Sequence, residues 1–414
     1  MQLRCLYILS IFMLPSMINA QQNYTKDNIM NQSAKNIDDI DSIKVNFMYS
    51  YYEQDGLHSP VTGGIGDEKL YDHGRKISIS VPLKNNINLS VLGGMDIYTS
   101  ASTDNINNEH DLLLTETSAS YRDERKYASI GLEKKNKLGY IIGANTGFSK
   151  EWDVNSINYG ISLTHLSKNE NTQIRLSTSY YKDKWDLIYP YELRPFINDT
   201  LEDIKRSLNA SLMFSQIINK RLKIALSIET VSQNGLLSTP FHRVYFNDTT
   251  HTIEWLPNKR FKIPVAMYIS YYMNDWSILR FYYRFYTDDF DINAHTIQIE
   301  TPIKISPSIV ISPFYRIHNQ EESKYFEPFA IHDSNSEYYT SDYDLSNFNS
   351  HKLGVGIKYS PLFGFFNNIN YQNTNSKIRF EKLEIRTSKY FRTNNNGVIL
   401  KAYIATIGIS YTIN

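Results

Sequence analysis

Along residues 262–286 the apolar side chains fall on every second position. Ile263, Val265, Met267, Ile269, Tyr271 and Met273 lead to the polar pair Asn274-Asp275, and the alternation resumes at Leu279, Phe281, Tyr283 and Phe285. The other face of the second arm carries Arg280, Tyr282, Arg284 and Tyr286. A period of two, rich in aromatic and branched residues and split by a short polar break, predicts a β-hairpin. Each arm is about eleven residues, the length a tilted strand needs to cross a bilayer. One face suits lipid, whereas the arginine face requires water or charged partners. A hairpin in a soluble sandwich alternates in the same way, so the choice rests on the rest of the chain.

The same pattern recurs from Ile43-Val45-Phe47-Tyr49-Tyr51 to the closing run Tyr403-Ala405-Ile407-Ile409-Tyr411-Ile413, with a slipped run through Phe380, Leu383 and Ile385. No amphipathic helix and no interdomain linker interrupts it, so 42–414 reads as one all-β domain. Tight connections (Lys84-Asn85-Asn86, 218–220, Asn274-Asp275, 302–307) alternate with long ones (53–74, 99–123, 183–204, 233–260, 318–350). Short periplasmic turns and long extracellular loops mark a transmembrane antiparallel up-and-down β-barrel. Counting back from the last strand, parity holds if 112–121 is loop; the expectation is about sixteen strands (range 14–18), with both ends of the chain in the periplasm.

Composition sharpens this reading. Met1–Ala20 has the form of a signal peptide, with Arg4 at its positive end, an apolar run from Leu6 to Met17 and a small-residue cleavage site. Residues 21–41, polar and aperiodic, read as a flexible periplasmic tail. The single cysteine, Cys5, lies inside the leader, so the exported chain is expected to hold together without disulfides. Lys and Arg total 43 against 43 Asp and Glu; loss of Arg4 leaves 42 against 43, and this balance argues against a nucleic-acid partner. Mean hydropathy is negative, which an alternating barrel tolerates because its lipid face is diluted by its lumen face.

Several strings in the connections carry a resemblance. They are Tyr51-Tyr52-Glu53-Gln54-Asp55-Gly56 with Val61-Thr62-Gly63-Gly64-Ile65-Gly66, Ser100-Ala101-Ser102-Thr103-Asp104-Asn105-Ile106, and Ile188-Tyr189-Pro190 with Glu192-Leu193-Arg194. Further along come Gly235-Leu236-Leu237-Ser238-Thr239-Pro240-Phe241-His242-Arg243-Val244-Tyr245, Ala294-His295-Thr296 and Tyr339-Thr340-Ser341-Asp342-Tyr343-Asp344-Leu345-Ser346. In these the chain resembles an outer-membrane β-barrel family of Gram-negative bacteria classed as a domain of unknown function. The resemblance implies a fold and an outer-membrane location, and it supplies no mechanism. Asp291 stands where a glycine is expected, and Asn414 ends the chain in place of an aromatic, leaving the terminal assembly signal for the barrel assembly machinery to Tyr411 and Ile413.

Most of these strings lie in the long connections, where loops that fold inward over the mouth, or a binding surface, would need them. The loop candidates are Asp55, Gly63, Gly64, Asp104, His242, Arg243, Asp342 and Asp344. The Gly63-Gly64 string lacks the Lys and the following helix of a phosphate loop and reads as a turn. Ser238 and His242 lack a nucleophile elbow and have Pro240 between them, so no enzyme is expected. The ten histidines show no ligand spacing. Asp96, Asp104, Asp123 and Glu124 gather round one loop but match no calcium loop. The expectation is no cofactor and no metal. By strand phase Arg175, Glu229, Arg280, Arg284, Glu300, Arg316 and Lys358 point inward, a mixed-charge lining suited to a pore.

The expected function is therefore a porin-like channel or transporter for small polar solutes, in contact with outer-membrane lipids. The alternative is an assembly or receptor component that docks a periplasmic or surface protein partner through its outer loops, and a barrel hydrolase comes third. The topology is testable with single cysteines, because the exported chain is read as having none. A membrane-impermeant maleimide on intact cells should label Ser334→Cys and spare Asn274→Cys; the reverse pattern would overturn the orientation.

Overall fold

The computed structural model describes residues 42–99, 122–190, 192–193, 202–361, 378–395 and 397–413. The leader, the 21–41 tail, 112–121, the 100–106 string with Asp104, Arg194 and Asn414 lie outside the described residues. Strands dominate, in chain order β1 (Ile43–Leu57), β2 (Asp67–Leu83), β3 (Ile87–Thr99), β4 (Arg122–Lys135), β5 (Tyr140–Lys150) and β6 (Val154–Leu166). There follow β7 (Thr172–Asp186), β8 (Glu202–Ile217), β9 (Leu222–Gly235), β10 (Arg243–Tyr245), β11 (His251–Ile253), β12 (Lys259–Tyr272) and β13 (Ile278–Asp288). The last are β14 (Asn293–Glu300), β15 (Ile303–Lys304), β16 (Ile309–Gln320), β17 (Phe348–Tyr359), β18 (Ile378–Asn394) and β19 (Gly397–Ile413).

Every wall strand pairs antiparallel with its neighbour in sequence, and β9 pairs with β12, leaving the β10–β11 ribbon outside the wall. β14 and β15 both run against β16 and form one interrupted strand, so the wall has sixteen strands. The ring closes where β1 meets β19, in register from Ile43 opposite Ile413 to Gly56 opposite Leu400. Both ends of the wall thus lie side by side at the end that carries the tight turns. Closure leaves no free edge, the condition for a sheet to sit in hydrocarbon.

The strands outrun the expectation. The stretch 53–74 was expected to be loop, yet β1 runs to Leu57 and β2 begins at Asp67, so their ladder continues past the apolar band. Strict alternation of connection length also fails. The end with the long connections includes the tight 151–153, 289–292 and 395–396, and the tight-turn end includes 360–377. Asn274-Asp275 is the centre of a longer turn, whose Asn274 Oδ1 accepts from the Trp276 and Ser277 amides at 3.1 and 2.8 Å. The stretch 302–307 contains β15 and turns only at its end. Phe380 and Lys382 flank a register shift against β19, the bulge that the slipped run foretold. Asp291, where glycine was expected, has φ +67°, the left-handed conformation that glycine adopts freely and Asp tolerates.

β6 shows how the wall divides its faces. Ile157, Tyr159, Ile161 and Leu163 are exposed, while Ser156, Gly160 and Thr164 between them are buried. Ile161 and Leu353 are each 63 % exposed, and such a belt of bare aliphatics is stable only against lipid. In β12 the alternation puts Ile269 opposite Phe281 on the outside and Ser270 opposite Arg280 on the inside. Arginine at the lipid face near the midplane costs about 2–4 kcal/mol, and much less in a wet lumen. Ile269→Arg is therefore expected to impair heat-resistant barrel formation, read by gel mobility, more than Ser270→Arg; equal tolerance would refute this division of the wall.

Candidate functional site: the capped mouth and the charged wall

The long connections build a second, smaller core. After β1 the chain makes a short 3-10 turn at Pro60–Thr62, which stops at Gly63 with φ +77°. A Cβ there would meet the Tyr245 ring at 2.5 Å, so glycine is needed for close approach as well as for conformation. Arg243, at the start of β10, donates to the Val61 carbonyl at 2.6 Å and makes a two-pronged pair with Glu192 at 2.5 and 3.2 Å. Burial opposes ionisation of Glu192, but Arg243 wins and holds its carboxyl below the usual range. His58 stacks on Tyr343 at 4.0 Å. Connections β1–β2 and β9–β12 lie half-way round the ring from each other, so these contacts mean that the loops meet across the mouth. The cap is built from 58–66, 187–190 with 192–193, 236–258 and 321–347.

Beneath this seam an apolar cluster of Leu237, Leu256, Phe290, Ile292 and Leu345 is nearly inaccessible. Beside it lies a polar knot. His242 and Glu254 are 1 % exposed and Asp342 is 2 % exposed. His242 Nδ1 is 3.8 Å from Glu254 Oε1 and 4.0 Å from Asp342 Oδ2. The Glu254 carboxylate accepts from the Thr239 amide and the Thr340 hydroxyl, each at 2.5 Å. Asp342 caps the 3-10 turn Tyr343–Leu345 by accepting from the Asp344 amide at 2.9 Å. Burial pushes the Glu254 carboxyl up to about 7. Asp344 turns the other way, to Arg392 on β18 at 2.6 Å, and so pins the cap to the wall.

Below the cap, all seven pore-lining candidates fall on the inward face by register. Their surroundings differ. Arg280 is paired with Glu300 at 3.2 Å, and Arg386 takes the other Glu300 oxygen at 3.2 Å. Arg175 approaches Glu133 at 3.8 Å, half exposed. Glu229 lies within electrostatic reach of Arg284 and Lys262. Arg316 donates from Nε to Gln298 at 2.8 Å and lies over the Tyr282 ring. Directly opposite it on β17 is Lys352. Neither Arg316 nor Lys352 makes an ion pair among the described residues; the charges that act on Lys352 are Arg316 and Arg386, both positive. A separate arc, β2 to β4, presents Glu68, Asp72, Asp96 and Asp123 with Arg125 among them. The wall is therefore basic on one arc and acid-rich on another.

Other expectations resolve differently. Asp55 is not part of the cap; it sits on the exposed face of β1, opposite Lys69 and Lys401. Ala294-His295-Thr296 belongs to the wall, where His295 bonds Tyr283 on the outside. The Ser238 hydroxyl accepts from the Leu256 amide at 2.7 Å, a structural use. Of the residues gathered as oxygen ligands, Glu124 points outward to Lys126 and Asp96 approaches Arg125; Asp123 instead meets Glu151 and Asp153. Sequence reasoning missed Lys352, Arg386 and Arg392. The alternation around Leu353, Ile385 and Phe391 carried their inward phase. Nothing local marks Glu254, and Thr340 stood out only as part of the 339–346 string; the meeting of loops makes them into a site.

A closed sixteen-strand antiparallel barrel, bare and aliphatic outside and polar within, is the fold of the outer-membrane β-barrels. Within that class the chain belongs to the family described as Protein of unknown function (DUF3570), whose model matches residues 9–384. Among curated proteins none matches it in sequence. Solved structures with a similar fold include a bacterial polysaccharide outer membrane secretin, at 10 % identity and TM-score 0.48, covering 90 % of this chain and 98 % of that one. A BenF-like porin from Pseudomonas fluorescens Pf-5 is 9 % identical at TM-score 0.42, covering 89 % and 98 %. OccK1 (OpdK) from Pseudomonas aeruginosa is 8 % identical at TM-score 0.44, covering 90 % and 98 %.

The Arg243 contacts are the seam of the cap. Arg243→Gln removes the paired hydrogen bonds to Glu192 and the contact to Val61, an expected loss of about 1.5–3 kcal/mol for a charge-assisted bond. Proteolysis that samples the open loops should then speed up by at least about tenfold, while barrel mobility on unheated gels stays unchanged. Equal cleavage of both proteins would show that the seam is held elsewhere.

Proposed function

We propose that this protein is a porin-like outer-membrane channel for small anionic solutes, exported by its leader, with a standing cap that limits what enters. The observation that carries this reading is the pair Arg316 and Lys352 on the inward wall. Like charges opposite each other on adjacent strands are destabilising. A wall that only had to be stable would pair them, as Glu300 pairs Arg280 and Arg386. Two cations left with a hydrogen-bonded amide, an aromatic ring and each other hold a positive potential in the lumen. Facing water, such a potential attracts small anions and raises their local concentration. The acid-rich β2–β4 arc favours zwitterionic or polar anions over simple hydrophobic ones, because it offers a second pole. Arg280 is assigned to structure, held by Glu300, and Arg284 to the edge of the basic arc.

Planar-bilayer recording in a salt gradient tests this. The purified barrel is expected to show conductance steps at low voltage with anion preference. Arg316→Gln with Lys352→Gln should move the reversal potential toward cation selectivity, most at low salt where the Debye length is longest. Arg280→Gln should move it less. Silence of well-inserted protein would sink the channel reading, and an open channel indifferent to the double change would remove these residues from the path.

A further inference from the structure

The polar knot in the cap has the composition of a metal site. We propose that His242, Glu254 and Asp342 bind one first-row divalent metal ion, Zn²⁺ being the best match, and that the ion joins the 236–258 loop to the 321–347 loop. The sequence led to the opposite expectation, because the three residues come from two loops and share no ligand spacing.

Four features support the site. First, one atom from each residue, the imidazole Nδ1 and a carboxylate oxygen from each acid, lies within 4.8 Å of the other two. Tetrahedral bonds of about 2.0–2.1 Å place ligand atoms roughly 3.3–3.4 Å apart, so the observed 3.8 and 4.0 Å spacings close with side-chain shifts of about half an ångström. Second, the charges balance: a neutral imidazole and two carboxylates cancel a divalent cation, which matters where all three groups are almost wholly removed from water. Third, the donor set discriminates. Ca²⁺ and Mg²⁺ want six or more oxygens, whereas imidazole with carboxylates suits Zn²⁺ and its neighbours. Fourth, a second layer orients the ligands. The Thr239 amide and Thr340 hydroxyl fix Glu254, the Asp344 amide fixes Asp342, and the His242 carbonyl accepts from the Glu254 amide at 2.9 Å. In this arrangement His242 supplies Nδ1, each acid supplies one oxygen, and the fourth position is left for water.

The ion would do structural work here. Two loops anchored at different points of the ring would be cross-linked at their buried centre, so the cap would tighten with metal and loosen with a chelator. The channel reading does not depend on this, since the basic wall lies below the cap.

The test uses the full-length barrel purified in detergent, stripped with chelator and dialysed against micromolar ZnCl₂. About one Zn²⁺ per chain should be retained. His242→Gln, Glu254→Gln and Asp342→Asn should each weaken retention by at least about 100-fold, as loss of a direct ligand exceeds the effect of losing a second-layer partner. Barrel mobility on unheated gels identifies variants that still fold. Co²⁺ loaded into the wild-type protein reads the coordination directly, through visible bands of a four- or five-coordinate nitrogen–oxygen site that are absent from the folded variants. Wild-type protein that retains no Zn²⁺ would overturn the proposal and leave the knot as a proton-bridged hydrogen-bond lock. Retention undiminished in all three folded variants would overturn it equally, by placing the ion elsewhere.

Discussion

Closure of the ladder between β1 and β19 is the constraint on which the rest of the molecule depends. In hydrocarbon every backbone amide and carbonyl must find its partner within the protein, because no water is there to take its place. The pairing from Ile43–Ile413 to Gly56–Leu400 satisfies the last two edges at once and fixes strand number, parity and the common end at which the wall begins and finishes. Once the ring is closed, each strand has one face to lipid and one to the lumen. The burial pattern of β6 is the local consequence of that global condition.

The wall and the cap obey different physics. The wall is stabilised by repetition, and its lipid face asks only for apolar side chains at alternate positions. The cap is assembled from particular contacts, such as Gly63 against Tyr245, Arg243 against Glu192 and Val61, and Asp344 against Arg392. Each of these joins segments that are far apart in sequence and, in the case of Arg243 and Val61, on opposite sides of the ring. This is why specific strings accumulate in the connections while the strands make do with generic alternation.

Charge is handled in two ways inside the barrel. Glu300 collects Arg280 and Arg386 into a compact network, and Arg260 and Asp288 pair where both are nearly inaccessible. Arg316 and Lys352 are treated otherwise, adjacent and of like sign. Local arrangements that oppose stability tend to coincide with function, and in the channel proposed above a positive stripe on the lumen wall would favour anions. The cap above it holds two acids, Glu254 and Asp342, against His242, with all three almost wholly removed from water.

Much of the wall was legible in the sequence. The period of two at Ile263–Phe285, Ile297–Ile299 and Ile309–Ile311 determined strands, faces and the inward phase of Arg280, Arg284, Glu300 and Arg316, because side-chain direction in a strand follows from position alone. The slipped run at Phe380 coincides with the bulge, and Asp291, where the resemblance led to an expectation of glycine, adopts a left-handed conformation. Connection lengths were read less well: 53–74 carries as much ladder as loop, since a ladder continues wherever its partner does, whatever the hydropathy. Which charges are neutralised was legible only in part: Arg280 and Glu300 lie on consecutive strands, but the reach of Arg386 on β18 to Glu300 depends on the closed ring. The cap was least legible of all. His242, Arg243, Asp342 and Asp344 were visible as unusual strings, yet their common location, and the membership of Glu254 and Thr340 among them, was decided only by the closed ring, which brings loops from around its rim to meet over the mouth.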